Sequence, residues 1–171
     1  AEASLAQALV HQPGEPQALN LLGLIALDDR NFPVARTHFL AAAQGDPKEA
    51  ALWMNVASAE RGLGAADGER AALDKAIAID QRNLMAQLRM AQLQQRLGEA
   101  QGAADSWSKV LALTAGLADI PPALVDTLEQ ARRFVADHKA GFATFIEAGV
   151  AEGLNAADSV ARRRFQACLD H

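Results

Sequence analysis

A period of 34 residues constrains this chain more than any other feature. Pro13 and Pro47 stand one period apart, and Asp80-Gln81 replaces Asp46-Pro47 a period later. The same register aligns Leu5, Phe39, Leu73 and Trp107 in one column. Three residues on, it aligns Ala8, Ala42, Ala76 and Val110 in a second. Turn residues recur as well: Gly64 and Gly98 are a period apart, with Arg30 in the equivalent place. Self-similarity at this period predicts a stacked repeat, because each unit alone cannot bury its apolar face.

Each period reads as two amphipathic helices and a turn. In residues 16–49, Leu19, Leu22, Gly23, Ile25 and Ala26 form one helical stripe, which breaks at Asp28-Asp29-Arg30-Asn31. Phe32, Ala35, Phe39, Ala42 and Ala43 form the second stripe, ending near Gly45-Asp46-Pro47, where proline cannot extend the helix. Small residues at Gly23 and Ala35 predict close backbone approach with an aromatic ring filling the wedge. Residues 50–83 repeat the design with Trp53, Val56, Ala57 and Leu63, then Leu73, Ala76, Ile77 and Ile79. Residues 84–117 repeat it with Met90, Ala91, Leu93 and Leu97, then Ala103, Trp107, Val110 and Leu111. Residues 1–15 read as the second helix of an earlier unit, so the chain is expected to begin inside an array or an atypical cap. The 39 alanines and absence of tyrosine favour close helix packing over strands.

These units resemble the tetratricopeptide repeat, with its W-x-x-L-G, A-x-x-x-F-x-x-A and late proline. The best unit has Leu19-x-x-Leu22-Gly23, Ala35-x-x-x-Phe39-x-x-Ala42 and Pro47. The second keeps Trp53 but puts Val56-Ala57 for Leu-Gly and Glu69 where a small residue is preferred. The third has Gln87 at the aromatic position, Ala103, and Trp107 for Phe. The resemblance implies an all-α fold, a right-handed α–α superhelix of tetratricopeptide repeats with C-terminal capping helices. The array occupies 1–117, as a partial unit 1–15 and full units 16–49, 50–83 and 84–117; residues 118–171 form a helical cap or a connector to a further domain.

The period fails after Leu117. Asp119-Ile120-Pro121-Pro122 reads as a linker and helix start, with Asp119 as cap. Leu124, Leu128, Ala131, Val135, His138, Phe142 and Phe145 then alternate by four and three. They predict one long helix to around Gly149, or two broken near Gly141, that either closes the array on its third unit or projects as a dimer arm. Asn155 and Asp158 can start another helix with Val160, Phe165, Cys168 and Leu169 on its apolar side.

A second likeness spans nearly the whole chain. Residues 51–57 and 68–80, the Pro-Pro hinge and the terminal Ala161-Arg162-Arg163-Arg164-Phe165 through His171 resemble the N-terminal helical region of bacterial aspartyl/asparaginyl β-hydroxylase-family proteins. That likeness implies a further jelly-roll domain using Fe(II) and 2-oxoglutarate. None of that family's catalytic motifs falls in this chain, so no cofactor is expected here.

The chemistry candidates reduce to structural roles. His11, His38, His138 and His171 form no H-x-D/E or H-E-x-x-H motif. Cys168 is spaced as a small buried hydrophobe rather than an activated nucleophile. Gly62, Gly64 and Gly68 lack a phosphate-loop pattern, and Glu69 and Asp74 are expected to pair with Arg70 and Lys75 on solvated faces. Arg162, Arg163 and Arg164 fan out along a helix and make no convergent pocket. A formal charge of -5 gives no electrostatic reason to expect nucleic acid. No run approaches the ~20 apolar residues of a membrane span, and the expected address is cytoplasmic.

The expected functional surface is the concave face, lined in such repeats by exposed positions of the first helices. By register these are Asn20, Leu24, Leu27 and Asp28, then Met54, Ser58 and Arg61, then Leu88, Gln92, Gln95 and Arg96. Amides, charges and apolar anchors together suit a peptide or protein partner, or a downstream domain. The repeated basic clamp for carboxylates found in some chaperone-binding members is not discernible. The resulting expectation is a noncatalytic interaction scaffold; a purely structural oligomerisation module is the alternative, and the oligomeric state is left open.

Overall fold

The computed structural model describes residues 15–117 and 120–155. The chain divides into two compact units, Ala1–Leu117 and Ala118–His171. The first contains six described helices: α1 (Pro16–Asp28), α2 (Phe32–Gly45), α3 (Ala50–Gly62), α4 (Ala66–Ile79), α5 (Leu84–Arg96) and α6 (Ala100–Thr114). They pair as hairpins α1–α2, α3–α4 and α5–α6, with α2 also packing on α3 and α4 on α5. This is the all-helical superhelix of helix–turn–helix repeats that the period implies.

Local sequence explains where each helix starts. Prolines occupy the opening turns of α1 and α2, where a missing N–H leaves no intrahelical bond unmade. The Glu49 side chain accepts from the Ala51 N–H at 3.3 Å, and Asn83 accepts from the Ala86 N–H at 3.0 Å.

The turns inside the hairpins are one motif written three times. Arg30, Gly64 and Gly98 adopt φ of 56°, 70° and 75°. In each case the next amide closes back on the helix: Asn31 N–H to the Ala26 carbonyl at 2.7 Å, Ala65 to Glu60 at 3.0 Å and Glu99 to Gln94 at 2.9 Å. A left-handed residue followed by this long bond is how a helix satisfies its last carbonyls while reversing direction. The expected turn column is therefore a backbone requirement, met by glycine twice and by arginine once.

The core columns hold their places. Phe39, Leu73 and Trp107 are all buried in equivalent hairpin positions, as are Ala42, Ala76 and Val110. The wedge forms as expected: a Cβ at Gly23 would lie 2.4 Å from the Phe39 ring, so that glycine is required by the ring above it. The third position is less uniform, because Ala35 and Ala103 are joined there by a fully buried Glu69.

In the second unit a single helix, α7, runs from Pro122 to Asn155 and passes through Gly141 without a break. Leu128, Ala131 and Val135 on its apolar stripe are buried, whereas Phe142 and Phe145 are exposed. Asn155, expected to start a further helix, is instead the last described residue of α7. Residues 1–14 of the first partial unit (1–15), the Asp119 cap, Asp158 and the residues after it, Arg162 to Arg164, Cys168, His11 and His171 lie outside the described residues.

Candidate functional site

The first helices α1, α3 and α5 carry the residues expected to line the surface, and polar side chains connect these helices from one repeat to the next. Asn55 Nδ2 of α3 donates to Asn20 Oδ1 of α1 at 2.7 Å. Arg89 Nη1 of α5 donates to the Ser58 hydroxyl at 2.6 Å and to the Met54 carbonyl at 3.2 Å, both on α3. Ser58 in turn donates to the Met54 carbonyl at 3.0 Å. The result is a polar row that crosses three helices, with each step made by the repeat that follows.

Of the expected surface residues, Asn20, Met54 and Ser58 belong to this row. Leu24 is 40% exposed, and Asp28 and Arg61 are also exposed. Leu27 and the Met54 side chain are half-buried and pack against the array core. Gln92 is half-buried at the equivalent of Ser58, one turn beyond Arg89.

One surface position, Leu88, and two expected ion pairs need correction. Leu88 is 5% exposed, so it contributes packing rather than a contact surface. Gln95 is exposed but accepts from the Trp107 indole N–H at 3.0 Å, which ties it to the second helix of its own repeat. Arg96 is ion-paired to Glu69, and this pair replaces the expected Glu69–Arg70 one. Arg70 instead meets Glu99 at 2.6 Å, and Lys75 lies 3.8 Å from the centroid of the Trp53 ring rather than pairing with Asp74.

Asn55 and Arg89 escaped the sequence reading. They stand one residue after Met54 and Leu88, and one period apart, so a polar column was present in the register. Its meaning depends on the lateral spacing of neighbouring first helices, which the period alone does not supply. Burial of the Arg89 guanidinium holds its pKa below the usual arginine value; repulsion from Arg61 adds to this and the Glu69 carboxylate opposes it.

Among the described residues, no group of three or more His, Cys, Asp or Glu side chains could hold a metal ion. No helix among them is long and apolar enough to cross a membrane.

The tetratricopeptide repeat family matches residues 1–50 and, in an overlapping register, 22–83. The family match thus covers residues 1–83, the first two described hairpins among them. No curated protein matches the chain in sequence. Among solved structures, the array is similar to the first tetratricopeptide domain of Spaghetti (RPAP3) bound to an HSP90 peptide, with TM-score 0.60 and 18% identity over 71% of this chain and 94% of that one. It is also similar to the Yersinia enterocolitica type III secretion chaperone SycD in complex with a peptide of the translocator YopD. There the TM-score is 0.62, with 14% identity over 73% of this chain and 92% of that one. The TPR2B domain of yeast Sti1, in its complex with pHsp70, gives TM-score 0.60 and 17% identity over 74% of this chain and 97% of that one. At these identities the likeness is one of fold, and none of the three is named as an aspartyl/asparaginyl hydroxylase.

Proposed function

We propose that the tetratricopeptide array is a noncatalytic scaffold that binds a peptide or protein segment across α1, α3 and α5. The observation that carries this is the inter-repeat row Asn20–Asn55 and Ser58–Arg89, with Leu24 exposed beside it. A row of fixed donors and acceptors orients a ligand, and an exposed leucine supplies apolar area for affinity. Three solved domains of the same fold are named with peptide or protein ligands, which supports the reading.

Screening an immobilised library of extended peptides tests it. Saturable binding by the wild-type chain, abolished by Leu24→Asp with an unchanged melting midpoint, is the expected result. A chain that binds no peptide of the library, or binds equally well with Leu24→Asp, removes the proposal. The resemblance to β-hydroxylase N-terminal regions adds a narrower reading, in which the array holds a substrate beside a separate Fe(II)- and 2-oxoglutarate-dependent domain. That reading rests on the residues quoted for it and is tested by whether the gene encodes a jelly-roll with iron-ligand histidines beyond His171.

A further inference from the structure

The chain as a whole is acidic, with a formal charge of -5, yet its first-helix face is basic at one place. Within α3 the sole carboxylate is Glu60, ion-paired with Arg36 at 3.2 Å. Helix α5 contains no acidic residue, and Arg96 at its end is taken by Glu69. Arg61 and Arg89 remain. Arg61 is exposed and makes no ion pair among the described residues. Arg89 is half-buried, and its hydrogen bonds go through Nη1 to two neutral acceptors, the Ser58 hydroxyl and the Met54 carbonyl.

Neutral acceptors fix the guanidinium without neutralising it, and Arg61 stands about one turn beyond its partner Ser58 on α3; repulsion from Arg61 outweighs the opposing attraction of Glu69. Desolvating one cation beside another is unfavourable in the free protein, and a carboxylate between the two relieves both terms at once. The orientation set by Ser58 and Met54 means little ordering is left for the ligand to impose. Asn55 on one side and Gln92 on the other carry the polar face past the pair, as a through-running segment requires, and Met85 of α5 adds an exposed apolar side chain.

We propose that Arg61 and Arg89 form a subsite for an aspartate or glutamate side chain within an otherwise apolar peptide laid across α1, α3 and α5. The subsite rests on the peptide-binding reading of the face given above and specifies which segments it accepts. Charge-assisted bonds from two guanidinium groups to one carboxylate supply the selectivity, and Leu24 and Met85 supply apolar contact.

Fluorescence anisotropy with short, labelled, C-terminally amidated peptides tests this. One peptide alternates Glu and Leu; the others replace Glu by Gln or by phosphoserine, and a fourth is the Gln peptide with a free terminal carboxylate. The Glu peptide is expected to bind about tenfold or more tightly than the Gln peptide, with the gap shrinking as salt rises. The gap should vanish in Arg89→Gln, narrow in Arg61→Gln and persist in Arg70→Gln, whose arginine lies on a second helix. Because Arg61 is exposed, its variant carries the test even if Arg89→Gln melts early by circular dichroism. Equal binding of the Glu and Gln peptides, both lost in Leu24→Asp, leaves the binding face standing and removes the subsite. A gap that survives Arg89→Gln and Arg61→Gln removes it as well. Discrimination confined to phosphoserine, or to the free terminal carboxylate, overturns the assignment to an internal acidic side chain. If no peptide binds, the binding face falls and the subsite falls with it.

Discussion

The first and second hairpins of the array solve the same packing problem with different chemistry. In α1–α2 the contact is hydrocarbon throughout: Gly23 admits the Phe39 ring and Ala35 fills the neighbouring slot. In α3–α4 the equivalent places hold Ala57, Leu73 and Glu69, and all three are buried. The smaller Leu73 leaves room that the larger Glu69 side chain takes up. A further exchange accompanies it: Gly68 opens α4 to the Glu60 side chain, whose carboxylate carbon would lie 2.6 Å from a Cβ there. Gly102 and Gln94 repeat that exchange one period later at 2.9 Å. The repeat thus conserves volume rather than residue type, and a charge is admitted to the interior where an adjoining repeat supplies its partner. Arg36 serves Glu60, and Arg96 serves Glu69.

The largest expected effect is on the hydrocarbon side. Phe39→Ala removes a fully buried ring and strands Gly23 against a void, at a cost of about 3–5 kcal/mol. Leu73→Ala in the second hairpin should cost about 2–3 kcal/mol, since less volume is lost. Urea unfolding measures both. Equal losses would mean that the two hairpins close by the same means after all.

The charged side of the comparison makes an asymmetric prediction. Arg96→Ala leaves Glu69 buried and without its ion-pair partner, and is expected to cost about 2–3 kcal/mol, below the range for fully buried pairs because Arg96 is itself exposed. Glu69→Ala removes the buried charge together with its pair but empties the room beside Leu73, and should cost about 1–2 kcal/mol, less than Arg96→Ala. The double variant should match Glu69→Ala alone in the same unfolding measurement. A double variant less stable than Glu69→Ala alone would show that Arg96 contributes through something besides its pair with Glu69.

The contrast also marks what could be read from the residues. The hairpins, their turn column and the Phe39–Gly23 wedge follow from periodicity and side-chain volume, which are written along the chain. The row on the first helices does not follow in the same way. Asn20 and Ser58 were placed by register, but their partners Asn55 and Arg89 depend on how far one first helix lies from the next. Glu69 stood out as a departure from a small-residue position, yet its neighbour in sequence, Arg70, was the wrong partner. The right one, Arg96, lies 27 residues away on the next repeat and is found only once the helices are stacked. Leu88 failed for a related reason: register gives the face a residue is on, not whether that face is covered.

The smallest expected effect separates backbone from packing at the turns. Arg30 carries a side chain in a left-handed conformation, φ 56°, where the two following hairpins use Gly64 and Gly98. An L-residue there costs roughly 1–2 kcal/mol relative to right-handed geometry, partly offset because glycine has more freedom to lose on folding. Arg30→Gly should therefore stabilise the array by about 0.5–1 kcal/mol, raising the thermal midpoint by a few degrees. Gly64→Ala is the reciprocal change. A Cβ at Gly64 meets nothing within 4 Å, so its penalty comes from φ alone, unlike Gly23, where the ring is the obstacle. A fall of about 1 kcal/mol is expected there. If both variants lowered the midpoint, Arg30 would be holding its turn through its side chain, and the first hairpin would differ from the second in its backbone as well as in its core.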